Sequence, residues 1–180
     1  DCKDRFIVYR SGRQVGKTMS TAVKAIHFAF FAPLMLKTVK HECTIVIAAP
    51  TQNQAGIMFD RIRSLIINNK FLKGYVVRNT QTEMWVNFLD NTGMSKIVTR
   101  ATGEHGTTLR GYSPHCIIAD ECSFIKTDIL RAFLPSGMAT LARVWLTSTP
   151  FSKSGYFFEA CQNSKLKNPD GLWTEFHVKS

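Results

Sequence analysis

The chain has 180 residues, enough for one domain with a full-sized core, and is 44% hydrophobic and 20% charged. That balance excludes a disordered chain, and the longest apolar run, residues 25–36, holds His27 and Pro33 and is too short to span a bilayer, so no membrane association is expected. A formal net charge of +10 favours an anionic partner, most simply nucleic acid, although a solubilising surface would carry the same charge.

Taken in order, residues 5–9 (RFIVY) predict a short buried strand that runs into a loop at 12–18. A helix is expected from 18 to about 32, apolar nearly all round and stopped near Pro33. Residues 44–49 (TIVIAA) read as a second strand, followed by a turn at Pro50-Thr51 and a helix over 54–67. The segments MWVNFLD and SKIVTRA flank Asn91-Thr92-Gly93, a hairpin signal. A polar, Gly-rich loop covers 102–114 and leads to a strand at 116–119 that ends at Asp120-Glu121. A short helix at 128–134, a strand at 143–149 stopped by Pro150, a helix near 155–161 and a strand at 172–178 complete the chain. Strands that alternate with helices, several of them continuous apolar runs, predict an α/β domain over 1–180 with a mostly parallel sheet covered on both faces. The cysteine count is five, odd and without a CxxC pair, which predicts reduced thiols, as in an intracellular compartment. His115, Cys116 and Cys122 match no zinc spacing, and Cys116 reads as a buried strand position. No signal-peptide pattern is seen.

Three segments carry chemistry. Ser11-Gly12-Arg13-Gln14-Val15-Gly16-Lys17-Thr18 ends like a phosphate-binding loop, but Ser11 stands where the first glycine of that pattern belongs. Gly12 still permits the tight turn, and backbone N–H groups from about Gln14 to Thr18 can curl around phosphate oxygens at a helix N-terminus. Lys17 would reach the β and γ phosphates and the Thr18 hydroxyl would hold Mg²⁺. An ordinary Gly-rich turn can also read Gly-Lys-Thr; the strand before and helix after favour a nucleotide site. Asp120-Glu121 follows an apolar strand: Asp120 could orient Mg²⁺ through its waters, and Glu121 could polarise a water for in-line attack. Such pairs are common on surfaces, and this one gains weight from the phosphate loop. Thr147, Ser148 and Thr149 end a strand. If that strand lies between the other two, these hydroxyls sit beside the γ-phosphate; otherwise they are a polar strand end before a proline. Arg61, Arg63, Lys70, Lys73 and Arg78 form a basic stretch, each read individually as part of a solvated helix face.

Together these segments resemble the ATPase domain of the large terminase subunit, the DNA-packaging motor of tailed viruses. The resemblance rests on Arg13-Gln14 ahead of Gly16-Lys17-Thr18, on LRGYSPHCIIADECSFI (109–125), on TSTP, and on AAPTQNQA and SGYFFEA, and it spans about residues 7–159. It implies a RecA-like P-loop NTPase fold of the class with an added catalytic glutamate (ASCE), ATP and Mg²⁺ as cofactors, and double-stranded DNA as substrate. It also implies self-association into a ring, pentameric in the assembled motor, with a portal protein and a small terminase subunit as partners in the host cytoplasm. By the same resemblance Arg13 adds positive charge at the phosphates, Thr147 to Thr149 are the coupling motif, and Arg110 acts as an arginine finger toward a neighbouring subunit. Arg110 stands eleven residues before Glu121, at the end of the 102–108 loop and before Gly111. Only ten residues precede Ser11, so the family's adenine-contacting segment is expected to be missing here, as is its nuclease domain, which would follow residue 180. A helicase-like translocase is the alternative, but it needs a second lobe carrying an arginine. A non-catalytic basic DNA-binding module would not need Lys17, Asp120 and Glu121 intact, and a kinase would not need Glu121.

Overall fold

The computed structural model describes residues 4–12, 14–109 and 111–178. Its element order is β1 (Phe6–Ser11), α1 (Lys17–Met35), β2 (Glu42–Ala49), α2 (Gln52–Ile67), α3 (Lys70–Lys73), β3 (Val76–Asn79), β4 (Glu83–Asn87), β5 (Met94–Ala101), β6 (Cys116–Ala119), α4 (Thr127–Phe133), β7 (Arg143–Ser148), α5 (Tyr156–Gln162) and β8 (Thr174–Val178). The strands form one eight-stranded sheet in the order β3-β4-β5-β2-β6-β7-β1-β8. From β5 to β8 every neighbouring pair is parallel; β4 and β3 add an antiparallel edge.

Apolar residues occupy both faces of the central strands because side chains alternate along a strand and both sides are covered. Ile45, Ile47, Cys116, Ile118 and Trp145 pack with α1 and α2, around the fully buried Phe28 and Phe59. Their neighbours Val46, Ala48, Ile117, Ala119, Val144 and Leu146 face the other way, against Leu130, Phe133 and Phe157 of α4 and α5. Beside α1, a groove of about 420 Å³ runs along the β1 and β8 flank between Ile7, Tyr9, Trp145 and Phe176. The four described cysteines are buried and unpaired. Burial pushes their thiols up, to about 12 at Cys43 and about 11 at Cys161, so they stay protonated at neutral pH.

One expected boundary moves. Helix α1 continues through Pro33 to Met35 instead of stopping before it. Proline has no N–H to give the carbonyl four residues back, which is that of Ala29. The buried Ser95 hydroxyl donates to that carbonyl at 2.6 Å and replaces the missing bond. Strand β3 and the one-turn α3 were not expected; β3 carries no fully buried residue, so its sequence lacks an apolar alternation to read. Among the described residues no helix is long and apolar enough to cross a membrane.

Candidate active site

Because β1, β7 and β6 are adjacent and parallel, their C-terminal ends open onto one edge of the sheet, where ligands of open α/β sheets bind. Tyr9 is level with Thr147 and Arg10 with Ser148, while Ala119 is level with Leu146. The loop after β1, the acidic pair after β6 and the hydroxyl run at the end of β7 therefore converge. The condition that β7 lie between the other two strands is met.

In the loop, Gln14 (φ 60°) and Gly16 (φ 79°) adopt left-handed backbone, which turns the chain sharply into α1. Gly16 pays little for this because it has no Cβ. It is also the N-cap of α1, with no side chain capping the first turn and no acidic residue in it. Free N–H groups and the positive end of the helix dipole then suit an anion. Ser11, at the position of the missing glycine, is buried, and its hydroxyl has no hydrogen-bond partner among the described residues. Arg13 and Arg110 lie outside the described residues.

Lys17 is only 7% exposed, and its Nζ donates to Glu121 Oε1 at 2.9 Å and to Thr149 Oγ1 at 3.1 Å. Glu121 itself holds a left-handed conformation (φ 48°, ψ 43°), which for a non-glycine residue costs about 1–3 kcal/mol. This turn separates the two adjacent carboxylates. Asp120 stays in the sheet edge and accepts from Thr147 Oγ1 at 2.7 Å, while Glu121 swings to Lys17. The hydroxyl run thus divides its work: Thr147 faces Asp120, Thr149 faces Lys17, and Ser148 accepts from the Ser123 backbone N–H at 3.1 Å. Of the three, Thr149 borders the loop cleft, and Ser148 Oγ also donates to Glu121 Oε2, a cleft residue, at 3.5 Å. That cleft, about 320 Å³, is bounded by Gly12, Gln14, Gly16, Lys17, Thr18, Met19, Arg61, Glu121 and Thr149. Arg61 is the residue that sequence reasoning missed: nothing in the local pattern of α2 says that it reaches the loop.

Burial pushes the Asp120 carboxyl above the usual aspartate range, and the Glu121 charge pushes it the same way, against the Thr147 hydrogen bond and Lys17. The folded chain therefore binds this proton more tightly than the unfolded chain. The contribution to stability is full below the unfolded value and is lost as pH rises through the raised folded value. Asp120→Asn is accordingly expected to raise the Tm of the metal-free protein at pH 7, by roughly 2–4 °C for each kcal/mol relieved. The gain should shrink at acid pH; a lower Tm at pH 7 in a thermal melt would contradict this account.

A glycine-bearing loop after β1, an acidic pair after β6 and the intervening β7 give the chain a RecA-like P-loop fold, and solved structures of large terminases share the architecture. The chain belongs to the family of the terminase large subunit, T4likevirus-type, N-terminal, which it matches over residues 8–163. It is similar in structure to the large terminase ATPase domain of Thermus phage P74-26, at 20% identity and a TM-score of 0.79, covering 98% of this chain and 76% of that one. The HK97 bacteriophage large terminase is 17% identical with a TM-score of 0.72, covering 94% of this chain and 35% of that one. The large terminase of a thermophilic bacteriophage, in complex with ADP, is 11% identical with a TM-score of 0.69, covering 97% of this chain and 40% of that one. At these identities the likeness speaks for the fold. No curated protein matches the chain in sequence.

Proposed function

We propose that the chain is the ATP-hydrolysing unit of a viral DNA-packaging motor and couples turnover to movement of double-stranded DNA. The observation that carries this reading is the convergence of Lys17, Glu121 and Thr149 on one cleft, in a terminase large-subunit fold. Triphosphate oxygens would compete with Glu121 for the Lys17 ammonium, whose charge-assisted contacts favour phosphate. Glu121, so released, is free to orient and deprotonate the attacking water. Thr149 shares Lys17 with Glu121, and Ser123 Oγ donates to the Thr149 carbonyl at 3.1 Å. The phosphate end of the cleft is thereby tied to the loop after Glu121.

The donor set suits Mg²⁺: Asp120 and Thr18 supply oxygen ligands, the type this ion takes, and Asp120 is held in place by Thr147. When bound, the ion would neutralise charge on the β and γ phosphates. The resemblance extends the reading to a ring of copies seated on a portal protein with a small terminase subunit, in the host cytoplasm.

The reading is tested by phosphate release from Mg-ATP in the assembled motor; its absence, with nucleotide bound, would remove the enzymatic assignment. DNA binding by the chain is expected to be indifferent to sequence and to weaken steeply with salt, since phosphate contacts release counterions. Titrations of unrelated duplexes at several salt concentrations check this. A tight complex with one defined sequence at high salt would instead favour a regulatory DNA-binding module.

A further inference from the structure

Arg61, although exposed, borders the loop cleft. Helix α2 turns Ala55, Met58, Phe59, Ile62 and Ile66 into the core, and Arg61 sits on the flank of that stripe, bordering the cleft with Lys17, Glu121 and Thr149. Its neighbour in the basic stretch behaves differently. Arg63 donates to Asp60 and to Asn79 Oδ1, both at 3.1 Å, and lies 4.8 Å over the Phe59 ring, so it ties α2 to the end of β3. That uses the acidic neighbour on the helix. Glu121, the carboxylate that borders the cleft, is held by Lys17. Arg61 makes no ion pair or hydrogen bond with any described residue. An arginine left without an acid beside a phosphate loop raises the positive potential there. Its planar guanidinium also matches two phosphate oxygens at once.

We propose that Arg61 binds the terminal phosphate of the nucleotide held by its own subunit. The assignment rests on reading the cleft as a nucleotide site. It selects the terminal phosphate because Arg61 borders the cleft from α2, outside the loop whose backbone would wrap the phosphates nearer α1. Arg61 therefore distinguishes a triphosphate from a diphosphate, and it does so within one chain.

Binding of ADP and of ATPγS with Mg²⁺ to the wild type, Arg61→Ala and Arg61→Lys tests this. Arg61 is exposed and outside the packed stripe, so both variants should keep the wild-type circular dichroism and Tm. Arg61→Ala is expected to weaken ATPγS about tenfold or more while leaving ADP nearly unchanged. Arg61→Lys should restore part of the loss, since it keeps the charge but not the fork. An unchanged ATPγS-to-ADP ratio in Arg61→Ala, with a wild type that binds both, would overturn the Arg61 assignment and leave the cleft reading standing. A wild type that binds neither nucleotide would overturn both.

Discussion

Replacing Glu121 by Gln is expected to leave nucleotide binding intact and to lower ATP turnover by about two orders of magnitude or more, the scale set by removal of a general base. Gln keeps the size of the side chain and can still accept from Lys17, so the 2.9 Å contact can survive while the proton acceptor is lost. Lys17→Ala should fail earlier in the cycle. It removes the buried ammonium of the cleft, and with it the charge-assisted contact to the phosphates. It also leaves Glu121 without its counter-charge and Thr149 without its donor. The two variants should therefore separate: Glu121→Gln binds without turnover, and Lys17→Ala scarcely binds. Nucleotide binding and single-turnover hydrolysis, measured side by side, check the pair. Comparable hydrolysis by the wild type and Glu121→Gln would remove Glu121 from the catalytic role.

The same site shows what local sequence can carry. Gly16-Lys17-Thr18 and Asp120-Glu121 are legible because each is a short motif at the end of an apolar strand, and parallel strands deliver such ends to one edge. The insertion of β7 between β6 and β1 could be stated only as a condition, since strand order depends on which apolar runs pair. Three features escaped for a common reason. Helix α1 passes Pro33 because Ser95, sixty-six residues away, satisfies the Ala29 carbonyl. Arg61 reaches the cleft because of how α2 lies on the sheet, which its own periodicity does not encode. Thr147 and Thr149 part company because one remains at the buried strand end beside Asp120 while the other, past the last residue of β7, turns to Lys17. Each is a contact between segments distant in sequence, where propensity and pattern carry no information.

Arg110→Ala is expected to cost on the order of 10³–10⁵ in turnover of the assembled motor, the range for an arginine that stabilises charge on the transferring phosphoryl group from outside the site. The assignment comes from the resemblance of residues 109–125 to the large terminase subunit, and its flanks are compatible with it. Leu109 is 1% exposed and anchors the chain in the core beside α4, while Gly111, at φ 86°, allows a turn that a residue with a Cβ would resist. Arg110 itself, outside the described residues, stands between that anchor and that turn in the sequence. If it serves a neighbour, Arg110→Ala and Lys17→Ala subunits fail for different reasons: one cannot donate the arginine, the other cannot hold the nucleotide. Mixed rings contain interfaces where an intact Arg110, on a Lys17→Ala subunit, faces an intact Lys17 on an Arg110→Ala subunit, and those interfaces should turn over. Arg61→Ala mixed with Lys17→Ala should gain nothing from such interfaces, because Arg61 serves the nucleotide of its own chain and cannot be lent. Steady-state hydrolysis across mixing ratios, with co-assembly verified by light scattering, separates the two behaviours. Undiminished turnover in Arg110→Ala rings, or no rescue in mixtures that co-assemble, would remove Arg110 from the trans role.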